Sequence, residues 1–161
     1  MPMQHAHAVE VEWTGAGDEG TSTYRSYVRD HVVRIDGLPD ILGSADKTFR
    51  GDRGRHNPEQ LLLAALAQCH MLSYLHQAAS RGIVVTAYRD AATGTMVTEG
   101  SGGRFTEAVL HPVVTIADAA RAADALDAHG QAGRDCFIAS SVAFPVLHEP
   151  TIVVAGEQGE R

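Results

Sequence analysis

Residues 56–76 read HNPEQLLLAALAQCHMLSYLH, and this stretch decides the fold. Asn57 is a favourable N-cap, Pro58 suits the first helical position, and Gln60 three residues on completes a capping-box-like start. From Leu61 to Leu75 only Gln68, His70 and Ser73 interrupt a run of apolar or small residues. A helix that is apolar nearly all round has no face to give to water, so it belongs at the centre of a molecule or of an oligomer. Gly82 supplies a left-handed stop, giving a central helix over residues 57–81. Cys69 falls near its midpoint. The other cysteine, Cys136, lies 67 residues further on.

The wider composition narrows the function. A chain of 161 residues with 44% hydrophobic and 20% charged content is long enough to bury a real core and reads as one soluble globular domain over 1–161. A formal net charge of −7 argues against nucleic acid and anionic membrane surfaces as partners. No apolar run of about 18 residues stands out as a membrane span, and MPMQHAHAVEVEW has neither the basic nor the apolar part of a secretion signal. The expectation is a cytoplasmic protein. In a reducing compartment a cysteine pair is rarely a permanent disulfide, and two cysteines with no CxxC or HExxH beside them make no metal or cofactor site. On residue counting alone, two inert buried thiols are as good a reading as two reactive ones.

Outward from the helix, the chain reads as α+β. His5–Trp13 alternates as a strand with one polar face, GAGDEG (15–20) is a turn, and Tyr24–Ile35 is strand-like, giving N-terminal strands over 4–36. A polar loop over 37–56 carries Lys47, Arg50, Arg53 and Arg55 into the helix. Beyond it come strands over 83–116, broken at GSGG (100–103 includes Gly100 and Gly103). Helices over 118–143 follow, the second capped by Asp135 and running from Cys136 to Val142. A C-terminal strand over 150–155 and a polar, frayed tail to Arg161 complete the chain. Short turns between neighbouring strands imply antiparallel sheets. One such sheet covers one face of an all-round apolar helix, so a second copy of the chain is expected to cover the rest, as a homodimer.

Several stretches resemble the superfamily of osmotically induced proteins (OsmC) and organic hydroperoxide resistance proteins. They are FRGD (49–52), NPEQLLLAALAQCHML (57–72), RDAATGTM (89–96) and DCFIASSVAFPV (135–146). The resemblance implies an intertwined homodimer of antiparallel sheets wrapped around paired central helices, with two sites at the dimer interface. It also implies a thiol peroxidase active in oxidative-stress defence. Cys69 is similar to the cysteine that attacks an organic hydroperoxide and becomes a sulfenic acid. Cys136 is similar to the one that resolves it to a disulfide, which a dithiol, lipoyl-type dithiols among them, then reduces. Glu59 matches the family glutamate ten residues before the cysteine, and Arg50 is the best match for the arginine that holds the thiolate. The chain departs from better-known members in two places. Cys136 is followed by Phe137 where they tend to have Pro, and GAGDEG lacks the arginine of the N-terminal glycine loop in hydroperoxide-resistance proteins. The closer likeness is to the OsmC-like branch.

Elementary chemistry sets a condition on that reading. An apolar helix disfavours a thiolate, so Cys69 needs a cation beside it. Arginine suits the role because it stays protonated when desolvated and offers several donors in a fixed fork. Arg53 and Arg55 rival Arg50. Ten helical residues rise about 15 Å, so a Glu59 that serves the chemistry is expected to reach the Cys69 of a partner subunit. Taken alone, Glu59 is also a carboxylate in a first turn, favourable for the helix dipole. His70 points about 100° away from Cys69 around the helix and reads as a core or interface histidine; His5 and His7 read as surface residues. The competing function is a non-catalytic dimer of the same fold that binds a small ligand, its cysteines serving packing or sensing.

Overall fold

The computed structural model describes residues 2–156. The tail expected to fray lies, from residue 157 on, outside the described residues. Contacts divide the chain into two compact units, one ending at Leu62 and one starting at Leu63.

The first unit carries a three-stranded antiparallel sheet, β1 (Glu10–Trp13), β2 (His31–Arg34) and β3 (Ile41–Gly43), in that order. The first strand is shorter than the alternation of His5–Trp13 suggests, because Glu10 already pairs with Arg34, the last residue of β2. Residues 14–30 are not the strand expected from Tyr24 onward. The Ser26 hydroxyl donates to the Gly20 carbonyl (2.7 Å) and accepts from the Thr23 amide (3.1 Å), pulling that stretch into turns. The polar loop over 37–56 holds a strand that sequence reading missed. Ile41–Gly43 pairs with β2, and Gly43 is required there because a Cβ would run into the His31 ring.

The helix α1 (Pro58–Ser80) starts as its sequence demands. Asn57 Oδ1 accepts from the Gln60 amide (2.8 Å), and Gln60 Oε1 accepts from the Asn57 amide (3.3 Å). Gly82, at φ +67°, ends it. Its buried residues are Leu66, His70, Tyr74 and Ala78, one every fourth position. The expectation that no face meets water fails within one chain: Leu72 is 61% exposed and Leu75 36%.

The second unit has two three-stranded sheets. One has the order β4 (Val85–Asp90), β7 (Pro112–Ile116), β9 (Thr151–Val154); the other is β5 (Thr93–Glu99), β6 (Gly102–Leu110), β8 (Val146–His148). Expected single strands over 83–97 and 104–116 are each two. The second breaks at His111 because Pro112 has no amide to extend the ladder, and the His111 amide donates instead to Asp90 Oδ1 (2.8 Å). The sheets are mixed: β4–β7 and β5–β6 run antiparallel, but β6–β8 and β7–β9 run parallel, and β8 was not foreseen. A second helix, α2 (Ala122–Asp135), lays Ala125, Ala128 and Ala132 against Tyr74, Ala78, Val114 and Ile116 to make the core. The fold is α+β, as expected.

Candidate functional site

The second unit brings the two cysteines together. Both are free thiols, Cys69 half-buried on α1 and Cys136 only 1% exposed. Cys69 lies close enough to Cys136 to disfavour its thiolate. Burial first, then the neighbouring Cys69 side chain, push the Cys136 thiol up to about 11, which keeps it protonated at neutral pH. Cys136 does not open a helix. Asp135 is the last residue of α2, and its carboxylate accepts from Gln77 Nε2 and Gln131 Nε2 (2.8 Å each), so it cannot cap a following turn. Cys136 is extended (φ −74°, ψ 109°), and only a 3-10 turn, Ala139–Ser141, follows. That turn is tied back to the cysteine: Ser140 donates its amide and hydroxyl to the Cys136 carbonyl (3.0 Å each), and the Ala139 amide lies 3.4 Å from Sγ. The absence of Pro after Cys136 is thus met by hydrogen bonds rather than by a helix.

The first unit holds Arg50 and Glu59. Arg50 adopts the left-handed conformation (φ 66°), rare outside glycine, at the end of the 3-10 turn Lys47–Phe49. The turn is built rather than loose. Asp46 Oδ1 caps the Thr48 amide (2.8 Å), the buried Ser44 hydroxyl accepts from the Asp52 amide (3.1 Å), and Gly51 packs against the Ala45 carbonyl, where a Cβ has no room. The Arg50 side chain is exposed. Arg55 is committed elsewhere, pairing with Asp30 at 3.1 Å, and Arg53 is exposed. Glu59 is half-buried, with Oε2 shielded from solvent and without a hydrogen-bond partner among the described residues. It stands ten residues before Cys69 on one uninterrupted helix.

Sequence reading passed over another cation. Arg29 is half-buried, with its guanidinium 4.3 Å and 4.1 Å from the centres of the Tyr24 and Tyr27 rings. Its NH1 and NH2 donate to the Tyr27 and Tyr24 carbonyls (2.6 and 2.8 Å), leaving three N–H donors. It lines a cavity of about 400 Å³ with Trp13, Tyr27, His31 and Pro58, the residue before Glu59. The Y-x-x-Y-x-R pattern at 24–29 was the available signal. Nothing in a single sequence says that its rings fold onto the arginine. His70, expected to be a core or interface residue, is buried (2% exposed) against His129. His5 and His7 are exposed.

The comparisons agree with this architecture. The family model for OsmC-like protein matches residues 51–150, and the chain belongs to that family. It is similar to an OsmC-like protein of unknown function from Vibrio cholerae, at 30% identity and TM-score 0.81, covering 91% of this chain and 99% of that one. It shares its fold with an organic hydroperoxide resistance protein OsmC from Legionella pneumophila (19% identity, TM-score 0.67, 94% of this chain and 100% of that one). The same holds for an organic hydroperoxide resistance protein from Elizabethkingia anophelis (18%, 0.65, 94% and 99%). No curated protein matches the chain. No helix among the described residues is long and apolar enough to cross a membrane.

Proposed function

We propose that this protein is a cytoplasmic cysteine-based peroxidase that reduces organic hydroperoxides, its two units acting as one OsmC-like domain. The observation that carries the reading is the proximity of a half-buried thiol, Cys69, to a fully buried one, Cys136. The Cys69 thiolate attacks the terminal oxygen of ROOH. The O–O bond breaks, the alkoxide takes up a proton and leaves as ROH, and Cys69 becomes a sulfenic acid. The Cys136 thiol attacks the sulfenic sulfur, water leaves, and the Cys69–Cys136 disulfide remains. A dithiol, of the lipoyl type among the candidates, returns it to two thiols and is itself oxidised to a disulfide.

Arg50 is proposed to hold the Cys69 thiolate and a peroxide oxygen, and Glu59 to orient the guanidinium. Because Glu59 and Cys69 are about 15 Å apart along the helix, Glu59 serves the Cys69 of a second copy in a homodimer. Two features support this. Leu72 and Leu75 leave an apolar stripe of α1 in solvent, and the buried Glu59 oxygen lacks a partner. Arg29 is the rival to Arg50, favoured by its partial burial.

Alkyl hydroperoxide at one equivalent is expected to remove both free thiols. Cys69→Ser abolishes turnover, and Cys136→Ser leaves a sulfenic acid that dimedone captures. Arg50→Gln and Arg29→Gln, compared for Cys69 oxidation rate, decide between the arginines by a loss of tenfold or more in one of them. Full activity in Cys69→Ser sinks the proposal.

A second reading, a non-catalytic binder of a small ligand, is favoured by the apolar cavity beside Arg29. Trp13, the chain's single tryptophan, forms part of its wall. Saturable quenching of its emission by a small aromatic carboxylate, with thiols inert to hydroperoxide, is the outcome that reading requires.

A further inference from the structure

The core of the second unit contains a polar assembly that the proposed chemistry does not use. His70 and His129 are 2% and 1% exposed, and His70 Nε2 lies 3.0 Å from His129 Nδ1. Their rings are within 10° of parallel. His148 of β8 adds a third ring 5.3 Å from His70, and the Tyr74 ring lies 3.9 Å from that of His129. His129 Nε2 is buried without a hydrogen-bond partner among the described residues. Among the described residues no cluster of His, Cys, Asp and Glu has the geometry to hold a metal ion. The imidazoles lie side by side rather than converging on a point.

The place of this pair in the chain gives it a role. His70 follows Cys69 directly on α1. His129 lies on α2 seven residues before Cys136, the extended residue into which α2 ends, so a shift of α2 carries Cys136 with it. Their bond is the only buried hydrogen bond between side chains of α1 and α2 among the described residues. The rest of that interface is Ala125, Ala128 and Ala132 against Tyr74 and Ala78, with the Tyr74 hydroxyl donating to the Ala125 carbonyl (3.2 Å). The alanine contacts alone leave room to slide, because dispersion is non-directional, and the Tyr74 bond holds the register one turn further along α1 from Cys69. A buried hydrogen bond has one register, and leaving it unmade strands two polar atoms.

We propose that His70 and His129 are positioning residues for the resolving step, their bond fixing the register of α2 on α1 that brings the Cys136 sulfur to Cys69. The inference rests on the resolving role proposed for Cys136. It carries a condition on charge. The titratable groups facing the pair are Tyr74 from α1, His148 from β8 and, beyond Tyr74, Tyr88 and Asp90 from β4. The nearby Asp135 is taken up by Gln77 and Gln131. Among the described residues no carboxylate is hydrogen-bonded or ion-paired to either imidazole. Burial, then the neighbouring histidines, hold His70 down at about 4 and His129 at about 3. The clasp is closed at neutral pH and opens in acid once both imidazoles are protonated, when neither facing nitrogen keeps a lone pair to accept.

The test uses 4,4′-dithiodipyridine on the whole protein, so no hydroperoxide is needed. Cys69 attacks the reagent's disulfide, a mixed disulfide forms and one thiopyridone leaves. Cys136 then attacks the Cys69 sulfur and expels a second. In His129→Phe, which keeps a ring but cannot bond His70, the second release slows tenfold or more and the first is unchanged. His129→Asn, whose amide reaches the Nδ1 position, recovers part of the rate. In the wild type, the second release falls by more than the tenfold per pH unit that thiol ionisation dictates as pH drops below about 4. In His70→Phe/His129→Phe it keeps the tenfold slope. A second release at the wild-type rate in His129→Phe, or a plain tenfold slope in the wild type, overturns the proposal. The wild-type slope needs no variant to fold. If hydroperoxides fail to oxidise Cys69 while these releases behave as stated, the peroxidase reading fails and the clasp stands.

Discussion

The two ends of the α1–α2 interface are built on opposite principles. At one end Ala78, Ile83, Val114, Ile116 and Ala125 pack with no polar atom between their side chains. At the other, His70, His129 and His148 fill the same kind of space with rings that each carry two nitrogens. The apolar end gains stability from every methyl it buries and is indifferent to small shifts. The imidazole end pays desolvation for two rings and gains a single hydrogen bond, so it contributes little net stability and much register. The two thiols lie at the imidazole end, where Cys69 and His70 are neighbours. A thiol pair needs register more than it needs adhesion.

Tyr74 belongs to both ends, which makes its loss the largest effect expected. It is fully buried, its hydroxyl donates to the Ala125 carbonyl (3.2 Å), and its ring meets both Tyr88 and His129. Tyr74→Ala removes a large buried ring and is expected to cost about 3–5 kcal/mol, read by urea denaturation. A loss below about 1 kcal/mol would mean the two ends are independent.

Next comes acid. In the unfolded chain both imidazoles titrate near 6.5, while in the fold they stay neutral down to about 4 and about 3. Below pH 6.5 the unfolded chain takes up protons that the folded one refuses. Stability is therefore complete above pH 6.5, falls as pH drops from there, and stops falling on this account once the folded values are passed. The loss is on the order of a few kcal/mol for the pair. Melting temperatures in a pH series check it, and a flat profile between pH 7 and pH 4.5 contradicts it.

The apolar end was the more legible of the two in the sequence. The run from Leu61 to Leu75, its Asn57 cap and Gly82 stop declare α1 without reference to anything distant. Both thiols could be singled out because the chain has only two. What stayed hidden were contacts that depend on pairing across the chain. The parallel strand β8 exists because Val146–His148 finds β6, and its three residues carry no signal alone. His129 sits in an Ala-rich helix where a histidine suggests solvent, and only the arrival of His70, 59 residues away, makes it a buried partner. Arg29 likewise gains meaning only from Tyr24 and Tyr27 folding onto it. Asp135 looked like a cap because local sequence could not show Gln77 claiming its carboxylate.

Smaller changes sharpen the contrast between the ends. Ile116→Val removes one methylene from the apolar end and is expected to cost about 1 kcal/mol with no change in the acid profile, since no imidazole loses a neighbour. Denaturation at pH 7 and pH 5 should give the same difference from the wild type.

His148→Phe is the mirror experiment and carries the smallest effect at neutral pH. His148 is half-buried and holds its place by stacking, 5.3 Å from His70 and 6.3 Å from His129. Phe preserves the ring and removes the charge, so stability at pH 7 is expected to move by less than about 1 kcal/mol. Below pH 6 the variant should differ. Charge on His148 is the second cause holding His70 down and the third for His129, burial being the first for both. Without it both folded values rise toward 6.5, the gap to the unfolded chain narrows, and less stability is lost in acid. The variant's melting curve should thus fall more shallowly than the wild type's between pH 6 and pH 4. A parallel curve would mean that burial alone sets the acid response, leaving the third ring with packing as its only role.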